Sequence, residues 1–95
     1  MPNVILSLYN TVAITAASGV YRLKLPPGAG GLRQVDVLNL GPGAVFIRAD
    51  KDPTATDPNS LQLPANWSAN GLNVESNTGL GVFASADTTI GVRAK

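Results

Sequence analysis

Six carboxylates (Asp36, Asp50, Asp52, Asp57, Glu75 and Asp87), with no histidine and no cysteine, set the chemistry open to this chain. Missing histidine removes the commonest general base and transition-metal ligand, and missing cysteine removes disulfides and thiolate chemistry. Glycoside hydrolysis needs one carboxylic acid and a partner facing it across a cleft. Nothing in the spacing of these six sets a pair apart, and the serines, threonines and lysines offer nucleophiles only in the same general sense. Asp50, Asp52 and Asp57 share one loop with Thr54 and Thr56, and "DKD" opens like the Asp-x-Asp of a calcium-binding EF-hand. The rest of that pattern fails: residue 55, where the sharp-turn glycine belongs, is Ala, and residue 61, where the bidentate glutamate belongs, is Leu. Lys51 between the carboxylates also opposes a dication. Turn-capping is the ordinary use of aspartates in such a loop. The expectation is a protein that is not an enzyme and has no metal and no cofactor.

"LGPGA" poses a second choice, between a phosphate cradle and a turn. A phosphate loop needs a helix start after its glycines, so that free N–H groups converge on the anion. Here "AVFIR" follows, which is strand-like, and Pro42 removes a donor. The reading is a turn in which Gly41 and Gly43 supply positive φ, joining Arg33–Asn39 to Ala44–Ala49 as a hairpin. "NWS" at Asn66–Ser68 matches an N-glycosylation acceptor, but no signal peptide accompanies it. Trp67 itself suits a subunit interface, one end of a core, or a sugar platform. Stacking on nucleic acid needs basic residues interleaved with aromatics; the seven Lys and Arg are scattered and the net charge is +1. No nucleic-acid partner is expected.

The elements that must position these residues are strands. Turn signals recur every eight to twelve residues or so, the rhythm of a sandwich or barrel. Val4–Leu8 and Thr11–Ala16 read as the first two strands. In "VYRLKL", Tyr21, Leu23 and Leu25 face one way, with Arg22 and Lys24 opposite. "PPGAGG" is a loop. After the hairpin comes the long irregular "DKDPTATDPNS", then Leu61–Leu63, Leu72–Glu75, Leu80–Ala84 and Thr88–Ala94. No segment has helical periodicity. The prediction is a single all-β domain over residues 1–95, a small β-sandwich or jelly roll of about eight short, mostly antiparallel strands.

Apolar residues make up 44% of the chain and charged residues only 14%. The usual charged share of a globular chain is roughly 25%. A sparsely charged exterior suits a protein that buries much of it against neighbours, since charge ordinarily keeps a small exposed surface dispersed. The apolar start of "MPNVILSLYN" has no Lys or Arg before it and is interrupted by Ser7 and Asn10, unlike a secretion signal. No apolar stretch approaches the ~20 residues that cross a bilayer. The expectation is a chain made in the cytosol and kept intact, with no membrane partner.

The runs "VLNLGPGAVFIRAD", "LQLPANWS" and "GVFASADTTIGVR" resemble the small β-sandwich virion proteins of tailed bacteriophages. Asn39, Gly41, Val45, Phe46, Ile47 and Arg48 match the first part of that pattern. Leu63, Pro64 and Ala65 match the second, with Asn66 where Gly is usual, and Ala86, Thr88, Thr89 and Val92 match the third. The resemblance implies a capsid decoration (cement) protein, made in the host cytoplasm and bound to the capsid exterior. It would staple neighbouring copies of the major capsid protein and form a homo-oligomer, a trimer or dimer on a capsid symmetry axis. Candidate interface residues are Val4, Ile5, Leu6, Leu8, Tyr9 and Trp67. The segment carrying the first four is either a contact arm donated to a neighbour or an ordinary edge strand. The alternative function is a tail or baseplate module that binds a cell-surface glycan, with Trp67 as the platform.

Overall fold

A computed structural model of the chain describes residues 3–5, 7–26, 31–49, 51–54, 56–76 and 78–94. Nine strands are formed among them: β1 (Asn3–Ile5), β2 (Tyr9–Ile14), β3 (Tyr21–Lys24), β4 (Leu32–Pro42), β5 (Val45–Arg48), β6 (Leu61–Leu63), β7 (Ser68–Glu75), β8 (Leu80–Ala84) and β9 (Thr88–Ala94). They make a five-stranded sheet, β1-β3-β8-β5-β6, packed on a four-stranded sheet, β2-β9-β4-β7. The predicted all-β sandwich is therefore the observed fold.

The pairing explains how the chain gets there. Antiparallel pairs join β2 to β9, β3 to β8, β4 to β7 and β5 to β6. The chain is thus one long double strand that reverses in the loop between β5 and β6. Rolling this ribbon brings β9 against β4 and β8 against β5, again antiparallel. That is jelly-roll order. Only β1 stands outside it, added parallel to β3 at the edge.

Alternation within each strand supplies the core. Val35 and Val37 on β4, Ile90 and Val92 on β9, and Leu80 and Val82 on β8 are all buried between the sheets. Full burial of each such side chain is worth about 1.5–3 kcal/mol. Gln34, Asp36 and Leu38, which flank Val35 and Val37, turn outward, as period-two geometry requires.

One expectation fails. Arg33–Asn39 and Ala44–Ala49 do not form a hairpin: β4 pairs with β7 and β9, whereas β5 pairs with β6 and β8 in the other sheet. "GPG" is a corner that hands the chain from one sheet to the other. Gly41 has the expected positive φ, 84°, and the Gly41–Pro42 peptide is cis. Gly43 is not in the left-handed region; its role is close approach. A Cβ there would lie 2.3 Å from the Ala86 carbonyl oxygen, so only glycine lets the corner pass the β8–β9 turn. Strand bounds also shift: the first strand ends at Ile5, the second ends at Ile14 before a short 3-10 turn at Ala16–Ser18, and β7 begins at Ser68 rather than Leu72.

Asn39 holds this corner. It shares the parity of Val35 and Val37, so its amide points into the core, where the residue is fully buried. Its Nδ2 donates to the carbonyls of Gly43 at 2.7 Å and Leu63 at 2.8 Å. Its Oδ1 accepts from the Gly41 N–H at 2.9 Å and the Thr88 hydroxyl at 2.7 Å. The amide's full donor and acceptor capacity is used. The Asn39 backbone N–H donates to the Trp67 carbonyl at 2.9 Å, and its carbonyl accepts from the Asn66 N–H at 2.6 Å. Asn66 has φ 71°, a left-handed conformation that Asn tolerates and most side chains do not.

Replacing Asn39 with Ala leaves two carbonyls, a hydroxyl and an N–H without their buried partner. Each such group costs about 1–3 kcal/mol. N39A is expected to lower unfolding free energy by about 3–5 kcal/mol, read as a fall in the urea midpoint at unchanged slope. The exposed control N73A should move it by less than about 0.5 kcal/mol.

Candidate interaction surface

The aspartate loop that opens the sequence's chemical inventory is structural. On β3 and β5, Arg22 and Arg48 both stand opposite Gly81 of β8, so the glycine lies between two arginines on the outer face of the five-stranded sheet. Arg22 binds Asp52, and Arg48 binds Asp57. Between these ion pairs Pro53 is fully buried. A Cβ at Gly81 would lie 2.8 Å from Pro53 Cδ and 2.8 Å from the Lys51 carbonyl. The loop is therefore clasped over this sheet, with Gly81 as its seat. Among the described residues no three Asp or Glu side chains are grouped as a metal site. Asp50 and Ala55 lie outside the described residues.

The four-stranded sheet repeats half of this device. Gly91 sits at the middle of β9, opposite Thr11 of β2 and Leu38 of β4. A Cβ there would meet nothing within 4 Å. The next row is Tyr9, Arg93 and Asp36. The Arg93 guanidinium lies 5.4 Å from the Tyr9 ring centroid, a cation–π distance. Asp36 Oδ1 accepts from the Gly71 N–H at 2.8 Å, tying β4 to the bend in β7. With Asn70 and Ser68 these residues wall an open groove of about 580 Å³, floored at Gly91. Its lining mixes an aromatic, an aliphatic, amides and one charge of each sign, which suits contact with a mixed polar and apolar surface.

The predicted interface residues divide. Tyr9 is 68% exposed and stands on this groove, Ile5 is 80% exposed, Leu8 is also exposed, and Trp67 is 62% exposed at the β6–β7 turn. Val4 is half-buried and packs on the core. Leu6 lies outside the described residues. Of the two roles considered for the N-terminal segment, the one seen in this single chain is the edge strand, β1 beside β3. Leu38 and Leu40 were missed by sequence reasoning, although both are exposed on the outer face. Continuing the Val35–Val37 parity along "VLNL" would have found them, since it sends Asn39 inward and both leucines out.

The two glycines separate the two faces experimentally. G81A should lower stability by about 1–3 kcal/mol by pushing the loop off its seat, whereas G91A should stay within about 0.5 kcal/mol of the parent, both read by urea unfolding. The clasp also carries a pH signature. The Asn59 N–H on Asp57 Oδ1, at 2.9 Å, and then the Arg48 guanidinium hold the Asp57 carboxyl below its ordinary value of 3.8. A carboxyl lowered in the folded state contributes stability that is complete above the unfolded value and lost as pH falls through the folded one. Acid titration of stability below pH 3.8 should therefore be shallower in D57N than in the parent.

No protein-family model matches the chain, and no curated protein and no solved structure matches it either.

Proposed function

We propose that this chain is a structural virion protein of the capsid decoration (cement) type, a homo-oligomer that binds the outer shell and staples neighbouring major capsid subunits. The observation that carries the reading is the unequal dressing of the two sheets. The protein clasps its own loop over the middle of one sheet, whose large exposed aliphatics Ile5 and Leu61 stand on its edge strands, whereas no described segment covers the middle of the other, where Tyr9, Leu38 and Leu40 are exposed. Large apolar side chains gathered on one face mark a surface that neighbours cover.

Area supports the same reading. The chain exposes 4914 Å². A stable contact takes about 800 Å² from each partner, so one contact with a sister copy and one with a shell subunit would occupy about a third of the surface. A chain with only 14% charged residues has little to lose by such coverage. Each copy's contacts are weak alone, but several linked through an oligomer hold together at high effective concentration. Jelly rolls recur in viral capsid and lectin domains, an analogy of fold that supports a virion role without selecting it.

A second reading, a tail or baseplate module that binds a cell-surface glycan, is favoured by one observation: Trp67 is 62% exposed and free to stack on a sugar ring. Titration of purified shells lacking this protein separates the two. Decoration requires saturable binding at a fixed ratio to shell subunits, weakened at least tenfold by L38E/L40E with no change in melting temperature, and little altered by W67A. Absence of saturable binding, together with W67A-sensitive binding to host cell-wall sugars, would replace decoration with the glycan reading.

A further inference from the structure

A sandwich with open sheets has four edges, and natural proteins protect edges by shortness, proline, charge or bulges. Three of the four are protected here. Strands β1 and β6 have three residues each, and Pro64 follows β6. Strand β7 is longer, but its register against β4 shifts between Val35 and Val37, Gly71 takes φ 70°, and Glu75 ends it. Strand β2 has none of these devices. "YNTVAI" contains no charge, no proline and no glycine, and it runs in unbroken register along β9 from Tyr9↔Arg93 to Ile14↔Thr88.

Its hydrogen-bonding parity is also defined. The Ala94 N–H donates to the Leu8 carbonyl at 2.8 Å, so even-numbered residues of β2 exchange bonds with β9. The backbone groups of Tyr9, Thr11 and Ala13 are thereby directed away from the sheet, and their side chains are exposed. Among the described residues no strand pairs with β2 on that side. The Ser7 hydroxyl reaches the Tyr9 carbonyl at a weak 3.3 Å.

We infer that β2 pairs antiparallel with β2 of a second copy about a two-fold axis at Thr11. In that register Thr11 faces its own counterpart and Tyr9 faces Ala13, each pair exchanging backbone N–H and carbonyl bonds. A two-fold places every residue near its own kind, which a strand bearing charge would resist. An uncharged strand does not. Tyr9 opposite Ala13 leaves room for the ring on the outer face. The product is a continuous eight-stranded sheet in which the two Gly91 grooves lie side by side. This deepens the homo-oligomeric part of the proposed function and is independent of what the oligomer binds.

The test uses the full chain. Thr11 is exposed, so T11K and T11E should each keep the circular dichroism and melting temperature of the parent. At the two-fold each sets like charge against like. Sedimentation equilibrium should give an even multiple of the chain mass for the parent. Each variant should dissociate at least tenfold more readily, and an equimolar mixture should regain the parent mass. A parent that is monomeric or trimeric, a variant of unchanged mass, or a mixture that fails to reassociate overturns the inference. So does T11K-sensitive binding of a monomeric parent to shells, which would assign the edge to a strand of the shell protein. A T11K-sensitive dimer that does not bind shells leaves the inference standing and removes the decoration reading alone.

Discussion

The amide of Asn39 is the constraint on which the fold turns. A jelly roll requires its ribbon to cross between sheets at a corner and then requires β9 to slide in beside β4. Asn39 bonds the corner at Gly41 and Gly43, the end of β6 at Leu63 and the start of β9 at Thr88. Its backbone adds the β6–β7 turn at Asn66 and Trp67. Segments distant in sequence thus meet at one buried side chain. A fully satisfied buried amide specifies geometry more sharply than an apolar residue, because any other arrangement leaves donors or acceptors unpaired. The glycine at 43 and the left-handed Asn66 are consequences of that packing: one lets the backbone pass Ala86, the other aims the turn at Asn39.

The outer faces show how little separates a covered sheet from an open one. Each sheet carries a glycine in a strand paired on both sides, Gly81 on β8 and Gly91 on β9. At Gly81 the chain itself supplies the proline that fills the dent and the aspartates that meet the flanking arginines. At Gly91 no described residue arrives. Asp52 and Asp57, which invite a metal or catalytic reading in the sequence, are engaged in holding the cover down. The ion-paired loop thus belongs to the five-stranded sheet, and the open groove with Tyr9 and Leu38 to the four-stranded one.

Edge strands complete the division. Short β1 and β6 close the sides of the clasped sheet, and the bend of β7 closes one side of the bare sheet. The bare sheet's other side is the regular, uncharged β2. An exposed apolar face next to an unguarded edge is an aggregation hazard unless assembly is the purpose. Both features lie on one sheet, beside one groove.

Much of this was legible in the residues. Period-two alternation alone fixes which side chains of β3, β4 and β9 face inward, and turn chemistry places the breaks between strands within a few positions. The same alternation, followed one step further, puts Asn39 in the core and Leu38 and Leu40 on the surface. What alternation does not carry is the identity of a strand's neighbour. "GPG" reports that the chain changes direction, not which sheet receives it, so two strands adjacent in sequence read as partners although they lie in different layers. The true reversal is the aspartate loop, whose irregular sequence resembles no tight turn because its residues answer to Arg22, Arg48 and Gly81. The residues by themselves determined an all-β chain with two-faced strands and few charges. Only tertiary structure decided that β9 lies between β2 and β4, which glycine is covered and which edge stays open, because those outcomes depend on contacts between segments that local geometry cannot relate.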